Sequence, residues 1–302
     1  MLNIVFANQE NNNIGLLPSF EPFAVKEDND GCLVFGDGSK CCQSADDTMF
    51  TMYIDDSLKP IAKEQRTRIG IFDTENGKTT VDTTSDGGYQ YIIHDIHGNS
   101  CSLLQVNADY SIAHCALNGN RDMRKFGLNC ALMMMFAFRG SYSQTLLIHA
   151  SLVRNAGYGY AFIAKSGTGK STHTSLWLKY IDGSDLMNDD NPIVRVIDGK
   201  AFIYGSPWSG KTPCYRNIKA PLGAITKIER SQENRIERLP PVKAFANVLP
   251  SCSTIKWDKA VYGNTCQTVI KLIEVLPSVN ALHCRPDEEA AKVCHNAIAI
   301  KQ

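Results

Sequence analysis

Residues 164–171 read Ala164-Lys165-Ser166-Gly167-Thr168-Gly169-Lys170-Ser171, with the apolar run YAFI before them and a helix-favouring stretch, Lys170 to about Tyr180, behind. The spacing is G-x-x-x-x-G-K-S with alanine at the first position, and the flanks are the strand and helix the pattern requires. Gly167 and Gly169 allow the backbone to curl so that successive N–H groups face phosphate oxygens. The start of the following helix adds its partial positive charge. Lys170 then reaches the β- and γ-phosphates, and the Ser171 hydroxyl ligates Mg²⁺. Ser166, Gly167, Thr168, Gly169, Lys170, Ser171 and Thr172 are therefore the expected nucleotide-binding segment, for ATP with Mg²⁺. The bland alternative is a glycine turn ahead of a structural helix.

Nineteen residues after Lys170 stands Asp189, in the stretch Leu186-Met187-Asn188-Asp189-Asp190-Asn191. A strand ending in two acids is where a metal-holding carboxylate belongs in a phosphoryl-transfer site. One acid would hold Mg²⁺ and the other would take a proton from an attacking hydroxyl; a solvated acidic turn is the competing reading. His149 precedes Lys170 by 21 residues on the preceding strand. It is either a core histidine or, brought beside the loop by strand pairing, a metal, phosphate or orienting group. Lys211 and Arg216 offer cationic stabilisation of a transferred phosphoryl group, or else Gly210-Lys211 is a surface turn.

Outward from this segment the chain divides by texture. TLLIHASLV and GYGYAFIA read as two strands about a turn at Asn155-Ala156-Gly157, PIVRVI and KAFIYG as a hairpin about Asp198-Gly199, and PLGAITKI as another strand. A mostly helical tail follows, with a strand near Val279 to His283 and a closing helix from Pro286. Strands interleaved with helices predict an α/β domain over residues 144–302. Before it, CLVFG, FTMYI, RIGIF and YQYII are separated by turn signals at Asn11 to Asn13, Asp28 to Gly31, Gly36 to Gly38, Asn76-Gly77 and Asp86 to Gly88. This predicts a β-rich domain over residues 1–143. It ends in a helix from about Arg121 to Arg139, where Met123, Phe126, Leu128, Leu132 and Met135 recur in helical rhythm.

Bulk properties narrow the function classes. The chain has 302 residues, about two domains' worth. Its 43% hydrophobic and 21% charged residues suit a full core rather than a disordered scaffold. Lys plus Arg is 31 and Asp plus Glu is 31, so the basic excess of a nucleic-acid binder is missing. Eleven cysteines contain no C-x-x-C pair and are read as free thiols. The opening MLNIVFANQENNN lacks the basic start and long apolar core of a signal peptide. The apolar run Cys130 to Phe138 falls short of the ~20 residues a membrane helix needs. No membrane partner and a cytoplasmic location are expected. His94-Asp95-Ile96-His97 is a poor metal pair, since strand positions three apart face opposite sides. Trp177, Trp208 and Met133 to Met135 are read as packing residues.

The combination IHASLVRNAGYGYAFIAKSGTGKSTHTS followed by NDD resembles the P-loop group that contains HPr kinase/phosphorylase and phosphoenolpyruvate carboxykinase. GSPWSGKTPCYRN, Gly205 to Asn217, is similar to a segment of small bacterial HPr-kinase-related proteins. The likeness spans roughly Leu147 to Leu222, with weaker agreement through the PDEEA helix and none in the N-terminal domain. It implies an α/β nucleotide-binding domain of the HPr kinase/phosphoenolpyruvate carboxykinase type and an ATP-dependent kinase acting on a hydroxyl, serine foremost, of a protein, peptide or small molecule. It further implies Lys170 on the phosphates, Asp189 as base, Asp190 with Ser171 on the metal, His149 as an active-site group, and a homo-oligomer. Thr172 stands where HPr kinase has glutamate, and that kinase's later glutamate-arginine-glycine signature is missing. A carboxykinase-like enzyme acting on a keto acid and a non-catalytic nucleotide-binding regulator are the alternatives.

Overall fold

The change of texture before residue 144 is a division between two units in the computed structural model, which describes residues 1–27, 33–34, 40–41, 48–74 and 77–300. One unit comprises Met1–Glu21 and Val25–Gly140, the other Pro22–Ala24 and Ser141–Gln302. The break at Gly140 falls three residues before the expected boundary, because Ser141–Ser143 forms a 3-10 turn of the second unit. The expected turns at 28–31 and 36–38, the rest of the CLVFG segment beyond Leu33–Val34, and Asn76 lie outside the described residues. Among those described, no helix is long and apolar enough to cross a membrane.

The first unit contains β1 (Leu2–Phe6), β2 (Lys26–Glu27), β3 (Leu33–Val34), β4 (Lys40–Cys41), β5 (Phe50–Ile54), β6 (Arg66–Thr74), β7 (Gly77–Thr84), β8 (Tyr89–His94), β9 (Ser100–Val106), β10 (Ile112–Leu117) and α1 (Arg121–Gly140). Seven of these strands form a sheet in the order β1-β5-β10-β9-β8-β7-β6, and β2-β3-β4 make a separate meander. The helix lies on β8, β9 and β10. Its buried Leu128, Ala131, Leu132 and Met135 share the core with Leu104, Ala113 and Cys115 of the strands. Strands β1, β2, β4, β7, β9 and β10 are additional to those singled out from sequence. Of these, β7, GKTTVDTT, is hidden from an apolar scan because it buries Asp82 under Arg66 and Arg68. His94 closes β8 while His97 lies in the turn after Asp95, so the two histidines do not form a pair on one strand.

The second unit contains β11 (Thr145–Leu147), β12 (Ala150–Asn155), β13 (Tyr158–Ile163), α2 (Lys170–Tyr180), β14 (Asp185–Asp190), β15 (Ile193–Ile197), β16 (Lys200–Tyr204), β17 (Lys219–Arg230), β18 (Arg235–Arg238), α3 (Pro241–Val248), α4 (Lys259–Val275), β19 (Ser278–Cys284) and α5 (Glu288–Ile298). Their sheet runs β11-β15-β16-β17-β13-β12-β14, with β19 alongside β17 and β18 beyond it. The hairpins β12–β13 and β15–β16 turn through Ala156-Gly157 and Asp198-Gly199, all four at positive φ, as two-residue type I′ turns require.

Side-chain alternation gives the sheet two apolar faces. Leu152, Ala161, Ile163 and Met187 share one core with Ala244 and Val248 of α3 and Val269 and Leu272 of α4. Tyr160 and Phe162 share the other with Trp177 of α2 and Ala290 and Cys294 of α5. The segment TLLIHASLV, read above as one strand, is two. The chain shifts at Ile148-His149, so that β11 pairs with β15 and β12 with β13 and β14. His149 stands at that joint, its N–H donating to the Ser251 carbonyl at 2.7 Å.

Candidate functional site

A one-residue irregularity in β14 decides which side chains meet. Val153 pairs with Leu186 but Leu152 pairs with Asn188, leaving Met187 as an extra residue. An extra residue exchanges the two faces of a strand beyond it. Ser151 therefore opposes Asp189 rather than Asn188, and the carboxylate joins the face that carries α2. There Asp189 is 4% exposed. Its Oδ1 accepts hydrogen bonds from Ser171 Oγ at 2.9 Å and from Ser151 Oγ.

Ser171 reaches that acid because α2 starts at Lys170, directly after the glycine loop that leaves β13. Gly167 and Gly169 hold φ of 73° and 128°, which side chains with a Cβ resist. The cap residue of α2 is Gly169, which has no side chain to cap the first N–H groups. In α4 and α5 the same positions are closed by Asp258 and Asp287. The Lys170 side chain is buried, with Nζ donating to the Ala164 carbonyl at 3.1 Å, across the loop. Ser166, Gly167 and Thr172 are exposed.

Asp190 has a different environment. It holds a φ of 140°, rare for a residue with a side chain and a mark of local strain. One carboxylate oxygen lies 3.5 Å from His149 Nε2, and the other accepts from Asn191 Nδ2 at 2.6 Å. His149 is 43% and Asp190 34% exposed by side chain, so this pair opens to solvent while Asp189 does not. The segment after β16 closes over both acids. Gly210 donates its N–H to the Asp189 carbonyl, and Ser209 Oγ donates to the same carbonyl at 3.1 Å. A Cβ on Gly210 would stand 3.2 Å from the Asp190 Cβ, so the approach is close. Lys211 follows Gly210 and is exposed.

The geometry bears on two of the expected roles. Ser171 pairs with Asp189 and not with Asp190, because the extra residue in β14 sets which acid faces α2. Arg216 lies at the far end of β14, where its Nη1 donates to Asp185 Oδ2 at 2.7 Å. That is four residues, about 13 Å, from Asp189. Arg154 binds the same Asp185 carboxylate through Nε at 3.0 Å and Nη2 at 2.8 Å. Burial opposes ionisation of Asp185, but the two guanidiniums outweigh it and hold the carboxyl below its ordinary value. Trp208 is buried, consistent with packing.

Three residues were not legible as part of the site. Ser151 is a lone polar residue in an apolar run. His173, one turn into α2, accepts from Trp177 Nε1 at 3.1 Å, and burial pushes its imidazole down to about 4. Arg230, the last residue of β17, donates from Nε to the Thr168 carbonyl at 3.1 Å and from Nη2 to the Gly167 carbonyl at 2.5 Å. It borders a cleft of about 640 Å³ lined by the glycine loop, Thr172 and Leu176 of α2, Ile228, and Cys284 to Pro286. Among the described residues no three His, Cys, Asp or Glu side chains converge as a metal cage. Comparison with known proteins finds no matching family model and no matching curated protein.

Proposed function

We propose that this chain is an ATP-dependent kinase that transfers the γ-phosphoryl group to a hydroxyl, with serine of a protein or peptide the first candidate. The observation that carries this reading is the hydrogen bond between Ser171 and Asp189, which joins the glycine-capped start of α2 to the acidic end of β14. The glycine loop, Lys170 and Ser171 thereby lie at the acidic end of β14, where Asp190 follows Asp189, which is the set of groups that phosphoryl transfer uses. The loop N–H groups and Lys170 would hold the phosphates. Ser171 Oγ and the Asp189 carboxylate are hard oxygen donors, a set that suits Mg²⁺, which takes one or two carboxylates together with substrate phosphates. When bound, the ion neutralises charge on the β- and γ-phosphates.

The two acids divide the work in the reverse of the order implied by resemblance. Asp189 is buried and already accepts two hydroxyl donors, which suits it to the metal side. Asp190, half-exposed beside His149, is the acid an incoming hydroxyl can reach. In the transfer, the acceptor oxygen bonds to the γ-phosphorus as the bond to the β-bridging oxygen breaks. The acceptor proton passes to Asp190, and ADP leaves. Lys211 would supply positive charge from the segment that covers the acids.

Labelled γ-phosphate ATP in a lysate of the source cells tests the proposal. Label should move to a protein, peptide or metabolite with the wild type and not with Asp189→Asn. ATP binding with no transfer from either protein would favour a nucleotide-binding regulator. Nucleotide consumption that depends on a keto acid would favour a carboxykinase-like reaction.

A further inference from the structure

We infer that Arg230 is a positioning residue for the phosphates, acting through the backbone of the glycine loop; this rests on the nucleotide-binding reading above. The guanidinium is a planar fork, and it meets two successive carbonyls, those of Gly167 and Thr168. Across a planar trans peptide the C=O and the following N–H point in opposite directions. Holding these two carbonyls toward Arg230 therefore turns the N–H groups of Thr168 and Gly169 away from it, to the inner side of the loop. The Thr168 N–H there meets the Lys165 carbonyl at 3.1 Å.

The loop has few other restraints on this stretch. Gly167 and Gly169 carry no side chain to pack, and a Cβ at Gly167 would meet no atom within 4 Å. Glycine gives the loop its curl but also the freedom to leave it. Arg230 offsets that freedom from outside, standing at the end of a 12-residue strand that is paired on both sides over residues 224–227 and with β19 through to Arg230 itself. Its hold is backbone-directed, so it is indifferent to the residue types at 167 and 168. Because it acts on the loop and not on the nucleoside, its contribution is the same for any ligand that presents a polyphosphate.

Calorimetric titration of the full chain with ATP and with inorganic tripolyphosphate, both with Mg²⁺, tests this in wild type, Arg230→Gln and Arg230→Lys. Thermal unfolding is measured in parallel. Both variants should weaken both ligands by the same factor, about tenfold for loss of a charge-assisted double hydrogen bond, with an unchanged unfolding midpoint. Arg230→Lys binding like wild type would overturn the inference, since a point charge would then suffice without the fork. Loss for ATP alone would also overturn it, by making Arg230 a contact of the nucleoside. Unchanged binding in both variants would do the same while leaving the nucleotide reading intact. Wild type that takes neither ligand would remove that reading, and this inference with it.

Discussion

The two ends of β14 carry acids in opposite circumstances. At its start Asp185 is held by Arg154 and Arg216, two guanidiniums on one carboxylate. At its end Asp189 and Asp190 stand side by side, and among the described residues neither has an arginine or lysine within salt-bridge distance. Hydroxyls, an amide and a histidine are what meet them. An acid with its charge compensated inside the protein has nothing left to bind and serves the fold. Two adjacent acids met by hydroxyls, an amide and a histidine, one of them in a strained backbone, are the arrangement expected where a cation and a substrate proton are to be received.

Removing charge at the uncompensated end should give the largest effects. Asp189→Asn should abolish Mg²⁺-dependent ATP binding while leaving the protein folded, because Asn still accepts from Ser151 and Ser171. Asp190→Asn should keep ATP binding and lower phosphoryl transfer by about 10²- to 10⁴-fold, the usual worth of a general base. Calorimetry and single-turnover transfer separate the two. If Asp190→Asn loses the metal requirement and Asp189→Asn loses only transfer, the roles follow the resemblance and not the hydrogen bonds.

This asymmetry was only half visible in the sequence. The glycine loop, the bounds of α2 and the NDD acids could be read because they depend on residue types at fixed, short spacings. The hairpin turns at Ala156-Gly157 and Asp198-Gly199 were legible for the same reason. Which acid faces Ser171 was not, because it hangs on one extra residue, Met187, whose own side chain is an ordinary core methionine. Arg230 was invisible because it lies 62 residues from Thr168 and reaches it only through the packing of parallel strands. Arg216 misled in the other direction: its place in the GSPWSGKTPCYRN segment suggested the site, while the fold turns it to Asp185. In the first unit, β7 escaped because its buried charge is compensated by β6, a pairing that periodicity does not record.

His173 extends the contrast to a group whose role is structural although it borders the loop. Its Nε2 is taken by Trp177, and its Nδ1 is buried without a partner among the described residues. With the folded-state value at about 4 against an ordinary 6.5, the unfolded chain binds the proton more readily. Stability is therefore full above about pH 6.5 and declines as pH falls toward 4, by about 3 kcal/mol over that range. Thermal melts of wild type and His173→Gln between pH 7 and pH 4 check this, the glutamine variant being expected to show a flatter profile. Asp190→Gly, by comparison, should relieve the φ of 140° and raise stability by about 1 kcal/mol as it removes transfer. A loss of stability instead would mean that the pair with His149 holds the fold.

The smallest effect belongs to the compensated end, and it is the one that tests whether the ends are separate. Arg216→Ala leaves Asp185 with both hydrogen bonds from Arg154. All three side chains are more than a third exposed, so solvent screens what is lost, and the cost should be about 0.5–1 kcal/mol. The sign of the pH dependence follows from the direction of the shift. Asp185 is held below 3.8 in the folded chain, so its contribution is present above that value and disappears as pH falls through the lower, folded-state one. The variant should accordingly melt slightly earlier at pH 7, with the deficit shrinking in acid and in high salt. Phosphoryl transfer should not change, since Arg216 stands about 13 Å along the strand from Asp189. A tenfold loss of transfer at unchanged stability would show that Arg216 leaves Asp185 and swings to the phosphates during turnover, and the two ends of β14 would then have to be treated as one site.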